Sequence, residues 1–216
     1  MSLTIQLAGE ELILLPERGL FWARESMLLV ADWHIGKAAT FRASGIGVPE
    51  GGLEEEFARV ESMVAATGAG SMIILGDFVH ARDGLTAHLM GEVGSRMADL
   101  ALPIGLVSGN HDRSAGINRV SELGLEMLGT KAAFPPFLLR HEPGKNDGSY
   151  VLAGHIHPAL WFGEGKRGGV RAPCFWFGAH CGVLPAFGDF TGGRRIDPRA
   201  GDRVFAVGDG EVIKVY

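Results

Sequence analysis

The chain is poor in cysteine, with two among 216 residues, Cys174 and Cys181. Their spacing fits no zinc motif and there is no second pair, so both are expected to be free thiols. Long apolar runs are also missing. No stretch approaches the ~20 residues needed to cross a bilayer. Glu10 and Glu11 interrupt the opening MSLTIQLAGEELILLPERG where an export signal needs an unbroken apolar core. A cytoplasmic location and no membrane partner are therefore expected. Nor is there an excess of positive charge. The formal net charge is −5, which argues against a protein that coats duplex DNA by charge alone. No repeat, low-complexity tract or Pro/Ser-rich linker divides the chain.

What is present suits one globular domain over residues 1–216. Hydrophobic residues make up 46% and charged residues 21%, and a chain of this length buries roughly 70% of its unfolded surface without disulfides. Glycine is abundant, 33 residues, which implies many tight turns and close backbone approaches. Charge is unevenly spread. Gly163 to Arg203 carries Lys166, Arg167, Arg171, Arg194, Arg195, Arg199 and Arg203 against four acidic residues, a local +3 that leaves −8 elsewhere. Such a segment suits either a polyanion or a solvated loop surface.

The opening reads as strands near Thr4–Ala8, Glu11–Leu15 and Leu20–Ala23. A repeated pattern follows. MLLVADWH, SMIILGD, LPIGLVSGN, FLLRH and YVLAGHIH are short apolar runs that each stop at a polar, metal-capable residue. Runs too short for helices and bounded by Gly or Pro suit strands covered on both faces. Between them, Pro49 to Thr67 repeats Leu53, Phe57, Val60 and Val64 on one face, with Pro49 and Glu50 in its first turn. Thr86–Leu100 and Ser114–Leu123 are further helix candidates. After Gly168 the chain is β-rich again, over Val170–Phe177, Arg203–Val207 and Glu211–Val215, with a hairpin turn at Asp209-Gly210. The alternation predicts an α/β architecture.

In open α/β sheets ligands gather beyond the carboxyl ends of the strands. The five runs end in Asp32 and His34, Asp77, Asn110 with His111 and Asp112, His141, and His155 with His157. Carboxylates, imidazoles and one amide without thiolate suit Mn, Fe or Zn. Strand alternation would aim Asp32 with His34, and His155 with His157, to one side each. Each motif alone is weak: Gly-Asp after a strand is commonly a turn, and Gly-Asn-His-Asp could feed a helix capped by Asp112 or Ser114. Their order, all at strand ends, is what points to a shared site.

That order, D-x-H, G-D, G-N-H-D, H, G-H-x-H, resembles the calcineurin-like metallophosphoesterase superfamily. The resemblance implies a four-layer αββα sandwich of two mixed β-sheets flanked by helices. It also implies two divalent cations, Mn²⁺ first with Fe or Zn as alternatives. One would take Asp32, His34, Asp77 and His157, the other Asp77, Asn110, His141 and His155. His111 would face the substrate phosphate as a catalytic residue, oriented by Asp112. His141 is followed by Glu142-Pro143 where many relatives have glycine. The segments GKAATFRASGIGVPEG, RHEP, GHIHP and LPAFGDFTGG narrow the likeness to the bacterial DNA-ligase-associated metallophosphoesterases. These are encoded beside an ATP-dependent ligase, a helicase and an exonuclease, and the resemblance implies a role in DNA repair.

The expected activity is a metal-dependent phosphodiesterase or endonuclease on DNA, single-stranded or structured, by in-line attack of a metal-bridging hydroxide on phosphorus. The alternatives are a phosphoesterase on nucleotides or small esters, and a non-catalytic scaffold of the same fold. Arg42 and Arg113 are candidate contacts to a further phosphate. His80, three residues beyond Asp77, is a candidate for orienting a ligand. Phe41, Phe187 and Phe190 either stack on unpaired bases or fill the core. The sequence is compatible with a homodimer.

Overall fold

A computed structural model describes residues 1–43, 45–48, 52–116, 120–163 and 169–216. The first sheet opens as an antiparallel meander of β1 (Leu3–Leu7), β2 (Glu10–Leu14), β3 (Leu20–Trp22) and β4 (Met27–Val30). From β4 onward it is parallel, through β5 (Ser71–Ile74), β6 (Ile104–Leu106) and β7 (Glu126–Met127). Parallel neighbours need crossovers. These carry α1 (Lys37–Ala43) and α2 (Gly52–Thr67), then α3 (Ala87–Asp99), then α4 (Asn110–Ala115). Pro49 and Glu50, expected in the first turn of α2, lie outside the described residues, as do Glu164, Lys166 and Arg167 of the basic segment. Of the Ser114–Leu123 helix, Ser114 and Ala115 belong to α4, which begins earlier at Asn110 inside the polar motif itself, Val120 and Ser121 are helical, and 117–119 fall outside the described residues.

The second sheet is built from β8 (Lys131–Phe134), β9 (Phe137–Arg140), β10 (Tyr150–Ala153), β11 (Pro158–Phe162), β12 (Val170–Phe177), β13 (Cys181–Val183), β14 (Arg194–Arg195), β15 (Arg203–Gly208) and β16 (Glu211–Lys214). Its path runs β14-β11-β12-β13-β10-β9-β8, with β15 joining β12 and β16 joining β15. Strands β9, β10 and β13 are parallel and most of the rest antiparallel, so both sheets are mixed.

The apolar runs are explained by what covers them. In β4 all four residues are buried because the strand is covered on both faces. Leu28 and Val30 meet Phe57, Val60 and Met63 of α2, while Leu29 joins Leu12, Leu20 and Trp22 against Phe137, Leu152, Phe175 and Phe177 of the second sheet. Burying one such side chain contributes about 1.5–3 kcal/mol. The buried residues of α2, α3 and α4 all pack on the first sheet. On the second sheet a separate small cluster unites Cys174, Val204 and Ile196. Both cysteines are free. No helix among the described residues is long and apolar enough to cross a membrane.

Candidate metal centre

The carboxyl ends of β4, β5, β6, β9 and β10 open on one side, and the polar residues that follow them converge there. They sit just past the strands rather than in them. Asp32, His34, Asp77, His155 and His157 all adopt left-handed backbone, with φ of 55, 56, 51, 74 and 49°. The side chains therefore converge through these turns and not through strand alternation, which corrects the geometry expected from the D-x-H and H-x-H spacings. Backbone bonds hold the turns: Asp32 N donates to Gly76 O at 3.1 Å and His34 N to Asp77 O at 2.9 Å. His155 N donates to the Asp32 carboxylate at 2.8 and 3.0 Å.

Two groups of donors result, Asp32 with His34 and His157, and Asp77 with His141 and His155. In the first, His157 Nε2 lies 3.4 Å from Asp32 Oδ1 and 3.3 Å from His34 Nε2. In the second, His141 Nε2 lies 3.2 Å from Asp77 Oδ2, 3.1 Å from Asn110 Oδ1 and 3.1 Å from His155 Nδ1. Asp77 belongs to the second group and reaches toward the first. Its Oδ2 is also 4.0 Å from His34 Nε2, while its Oδ1 accepts from His111 N at 2.9 Å.

Ligand atoms held ~2.0–2.1 Å from one cation lie roughly 3–3.5 Å from one another, and these spacings match. Two imidazole nitrogens facing each other need a shared proton or a cation between them, and both groups contain such a pair. Burial pushes the His34 ring down to about 2, so the ring is neutral and one of its nitrogens keeps a free lone pair. His141 donates from Nδ1 to Leu75 O at 2.9 Å, which leaves Nε2 as the donor atom toward the group. Burial opposes a charged His141, but Asp77 and Asp32 outweigh it and raise the ring to about 8. Burial would likewise raise Asp77, but its hydrogen bonds from His141 and His111 win and hold it at about 2. Each of the two donor groups thus fits a divalent cation, with Asp77 lying between them.

The glycines of the motifs have a steric cause. A Cβ at Gly109 would lie 2.1 Å from Asp77 Oδ1, and one at Gly154 would lie 2.5 Å from Asp32 Oδ2.

His111 is the second residue of α4. Its Nδ1 is bound to His80 O at 2.5 Å, and its ring stacks on His80 at 4.9 Å and meets His34 edge-on at 4.9 Å. The orienting role expected of Asp112 falls instead to that His80 carbonyl. Asp112 is buried, with Oδ2 accepting from Gly109 N at 2.9 Å and Oδ1 from Val79 N at 3.1 Å. It caps α4 from within, and its burial raises the carboxyl. His80 Nδ1 faces His34 Nδ1 at 3.4 Å, so His80 backs both a candidate ligand and His111. A third group, His34, His80 and His111, shares His34 with the first and contains no carboxylate.

Arg113 turns back to donate to Ser108 O at 3.1 Å. Arg42, in the last turn of α1, lines a cavity of about 510 Å³ that also touches His34, Lys37 and Phe190. Phe187 is fully buried against Trp33 and stacks on no substrate.

The spacing of the motifs left two features out of view. Lys37 opens α1 and is half-buried, with burial lowering its pKa against the charges of Asp32 and Asp77. Behind the D-x-H turn, Trp33 Nε1 donates to Glu56 Oε2 at 2.8 Å, and Asp189 N donates to Glu56 Oε1 at 3.0 Å. Arg18 and Arg59 converge on Asp189 Oδ1 at 2.9 and 2.8 Å. Phe187 N donates to Ala31 O. Residues 184–193 therefore clamp the turn that carries Asp32 and His34. Only the pairing of a buried-type Glu on an amphipathic helix with Trp33 could have hinted at this.

Two mixed sheets face to face, with these donor groups at their strand ends, are the metallophosphoesterase fold. The match to a solved structure is closer than fold alone. The Pseudomonas putida nuclease MPE is 35% identical, with a TM-score of 0.85 and full coverage of both chains. The chain belongs to the family of that nuclease. The Escherichia coli phosphoesterase Yfce is more distant, at 15% identity and TM-score 0.47, over 88% of this chain and 97% of its own. No protein-family model matches the chain, and neither does any curated protein.

Proposed function

We propose that the protein is a dinuclear metal-dependent phosphodiesterase that cuts DNA, a hydrolase of phosphoester bonds. The observation that carries the metal pair is Asp77 Oδ2, which faces His34 on one side and His141 on the other. Asp32, His34, Asp77 and His157 would hold one cation, and Asp77, Asn110, His141 and His155 the other. When bound, such cations supply positive charge to the non-bridging phosphoryl oxygens and acidify water; Mn²⁺ suits this donor set, with Fe or Zn as alternatives.

The remaining work falls to the chain. His111 donates from Nδ1 to the His80 carbonyl, so Nε2 is the nitrogen left to take up and release a further proton. Placed beside His34, it can hydrogen-bond the phosphoryl group or protonate the departing oxygen, worth about 10²–10⁴ in rate. His80 keeps that ring and His34 in register. Asp112 shapes the first turn of α4, which presents Asn110 and His111 together.

A nucleic-acid substrate is supported by the likeness to the Pseudomonas putida nuclease; that it is DNA rests on the motif segments. Placement in the ligase-associated branch, with ligase, helicase and exonuclease as functional associates in repair, rests on the motif segments. The test is Asp77→Asn. Elemental analysis is expected to find fewer than two metals per chain, with loss of Mn²⁺-dependent hydrolysis of a bis-aryl phosphate and of nicking of circular single-stranded DNA. Two metals retained in the variant would overturn the shared-carboxylate assignment. No turnover of mono- or bis-aryl phosphate by the wild type with any divalent metal would overturn the enzymatic reading.

A further inference from the structure

The basic segment after Gly163 finds its place at the His157 end of the metal centre. Strand β11 begins at Pro158, the residue after His157, and pairs in parallel with β14, while Arg194 N donates to His157 O at 2.9 Å. On its other side β11 pairs with β12. Residues directly opposite across a ladder share a face, and alternate residues of a strand share it too. Ala159 stands opposite Arg195 and Pro173, and Trp161 stands opposite Arg171. Arg195, Trp161 and Arg171 therefore stand on one face. Phe162 and Arg194 turn to the other.

That face runs outward from the site. At its inner end Ala159, Pro173 and Arg171 line a narrow groove together with Arg18 and His157. Gly193 crosses there, and a Cβ on it would meet Ala159 Cβ at 2.8 Å and Arg171 Cδ at 3.1 Å. At its outer end Trp161 is 38% exposed. Arg171 and Arg195 are exposed, and their side chains have no hydrogen-bond or ion-pair partner among the described residues. On a protein of net charge −5, two unneutralised guanidiniums flanking an exposed indole form a local anion-binding, π-stacking surface. A single strand of nucleic acid offers the matching pair, backbone phosphates and unstacked bases. A duplex keeps its bases stacked and has no use for the indole.

We propose that the Arg195–Trp161–Arg171 face is the track along which a single DNA strand leaves the metal centre, with a base on Trp161 and phosphates on the two arginines. The proposal rests on the phosphodiesterase reading above.

The test uses the full-length protein with Mn²⁺ and a fluorescein-labelled single-stranded oligodeoxynucleotide, comparing wild type, Trp161→Ala, Arg171→Ala/Arg195→Ala, and Phe162→Ala from the opposite face. Trp161→Ala is expected to raise KM for nicking roughly five- to 150-fold, the range for losing one base–aromatic stack. The double arginine variant is expected to flatten the dependence of log affinity on log salt by about 1.4, for two phosphates on a single strand. In both, the ratio of oligonucleotide nicking to bis-aryl phosphate hydrolysis should fall, which a damaged metal centre would not produce. Unchanged KM and salt slope in both would overturn the track while leaving the esterase reading intact. An equal effect from Phe162→Ala, or equally weakened duplex binding, would also overturn it. A wild type inactive on both substrates would sink the underlying activity instead.

Discussion

The left-handed turns at the candidate ligands make a stability prediction whose sign is unusual. A residue with a Cβ held at positive φ costs about 1–2 kcal/mol relative to ordinary backbone, whereas glycine visits that region freely. Glycine also loses about 0.4–1 kcal/mol more on folding, because its unfolded chain is freer. At a left-handed position the first effect wins by about 1 kcal/mol; in a strand only the second operates. His155 and His157, at φ 74° and 49°, are the most accessible of the five. In chelated protein, His155→Gly should be more stable than His155→Ala, and His157→Gly more stable than His157→Ala, each by about 1 kcal/mol. For a chain of this length that is roughly 2–4 °C in Tm. Ala132, in β8 with ordinary extended backbone, supplies the opposite sign: Ala132→Gly should lower stability by about 0.5–1 kcal/mol. Urea melts in EDTA measure all five variants. If alanine matched or exceeded glycine at both histidine positions, the turns would not hold positive φ in solution, and the account of how the donors converge would fail. If the order holds, the site stores several kcal/mol of backbone strain that its hydrogen bonds maintain.

Three further outcomes bear on the centre. His111→Ala should keep two metals per chain by elemental analysis yet lose about 10²–10⁴ in kcat, since Nε2 of this ring is the one proton carrier assigned there; loss of metal would make His111 a ligand. Gly109→Ala places a Cβ 2.4 Å from the backbone N of Asp77, a contact that no side-chain rotation relieves. Calorimetric Mn²⁺ binding should therefore weaken at least tenfold, and wild-type affinity would show that the turn gives way. In chelated protein, stability should peak near neutral pH. Burial holds His34 at about 2 and His80 at about 4, below their unfolded 6.5, so the unfolded chain takes protons first and stability falls as pH drops below 6.5. His141 is raised to about 8, so its contribution, complete below 6.5, is lost as pH rises through 8. Urea midpoints that climbed steadily from pH 6.5 to 4 would contradict these environments.

The candidate site was legible in the sequence because each donor ends an apolar run, and a run covered on both faces is visible as four or five consecutive hydrophobic residues. The same rule placed β4, β5, β6, β9 and β10, and the opening strands were read within a residue or two of β1, β2 and β3. It could not describe how the donors meet. Asp-x-His is compatible both with strand alternation and with two left-handed turns, and only the bonds from Asp32 N and His34 N to the neighbouring strand end decide between them. Those bonds are long-range, and a spacing carries no trace of them. Asp112 shows the same limit. Next to His111 in the chain, it was expected to orient that ring, but on a helix i and i+1 diverge, and its carboxylate turns back to the amide of Gly109. The partner of His111 comes from 31 residues away. The clamp of Glu56, Arg18 and Arg59 on Asp189 is assembled from separations of 133, 171 and 130 residues, with no spacing to read. What the sequence does reveal there is cost: Glu56 and Asp189 would be expensive to bury without partners. A carboxylate on the inner face of an amphipathic helix is therefore a question that only the fold answers, and here the answer lies directly behind Asp32 and His34.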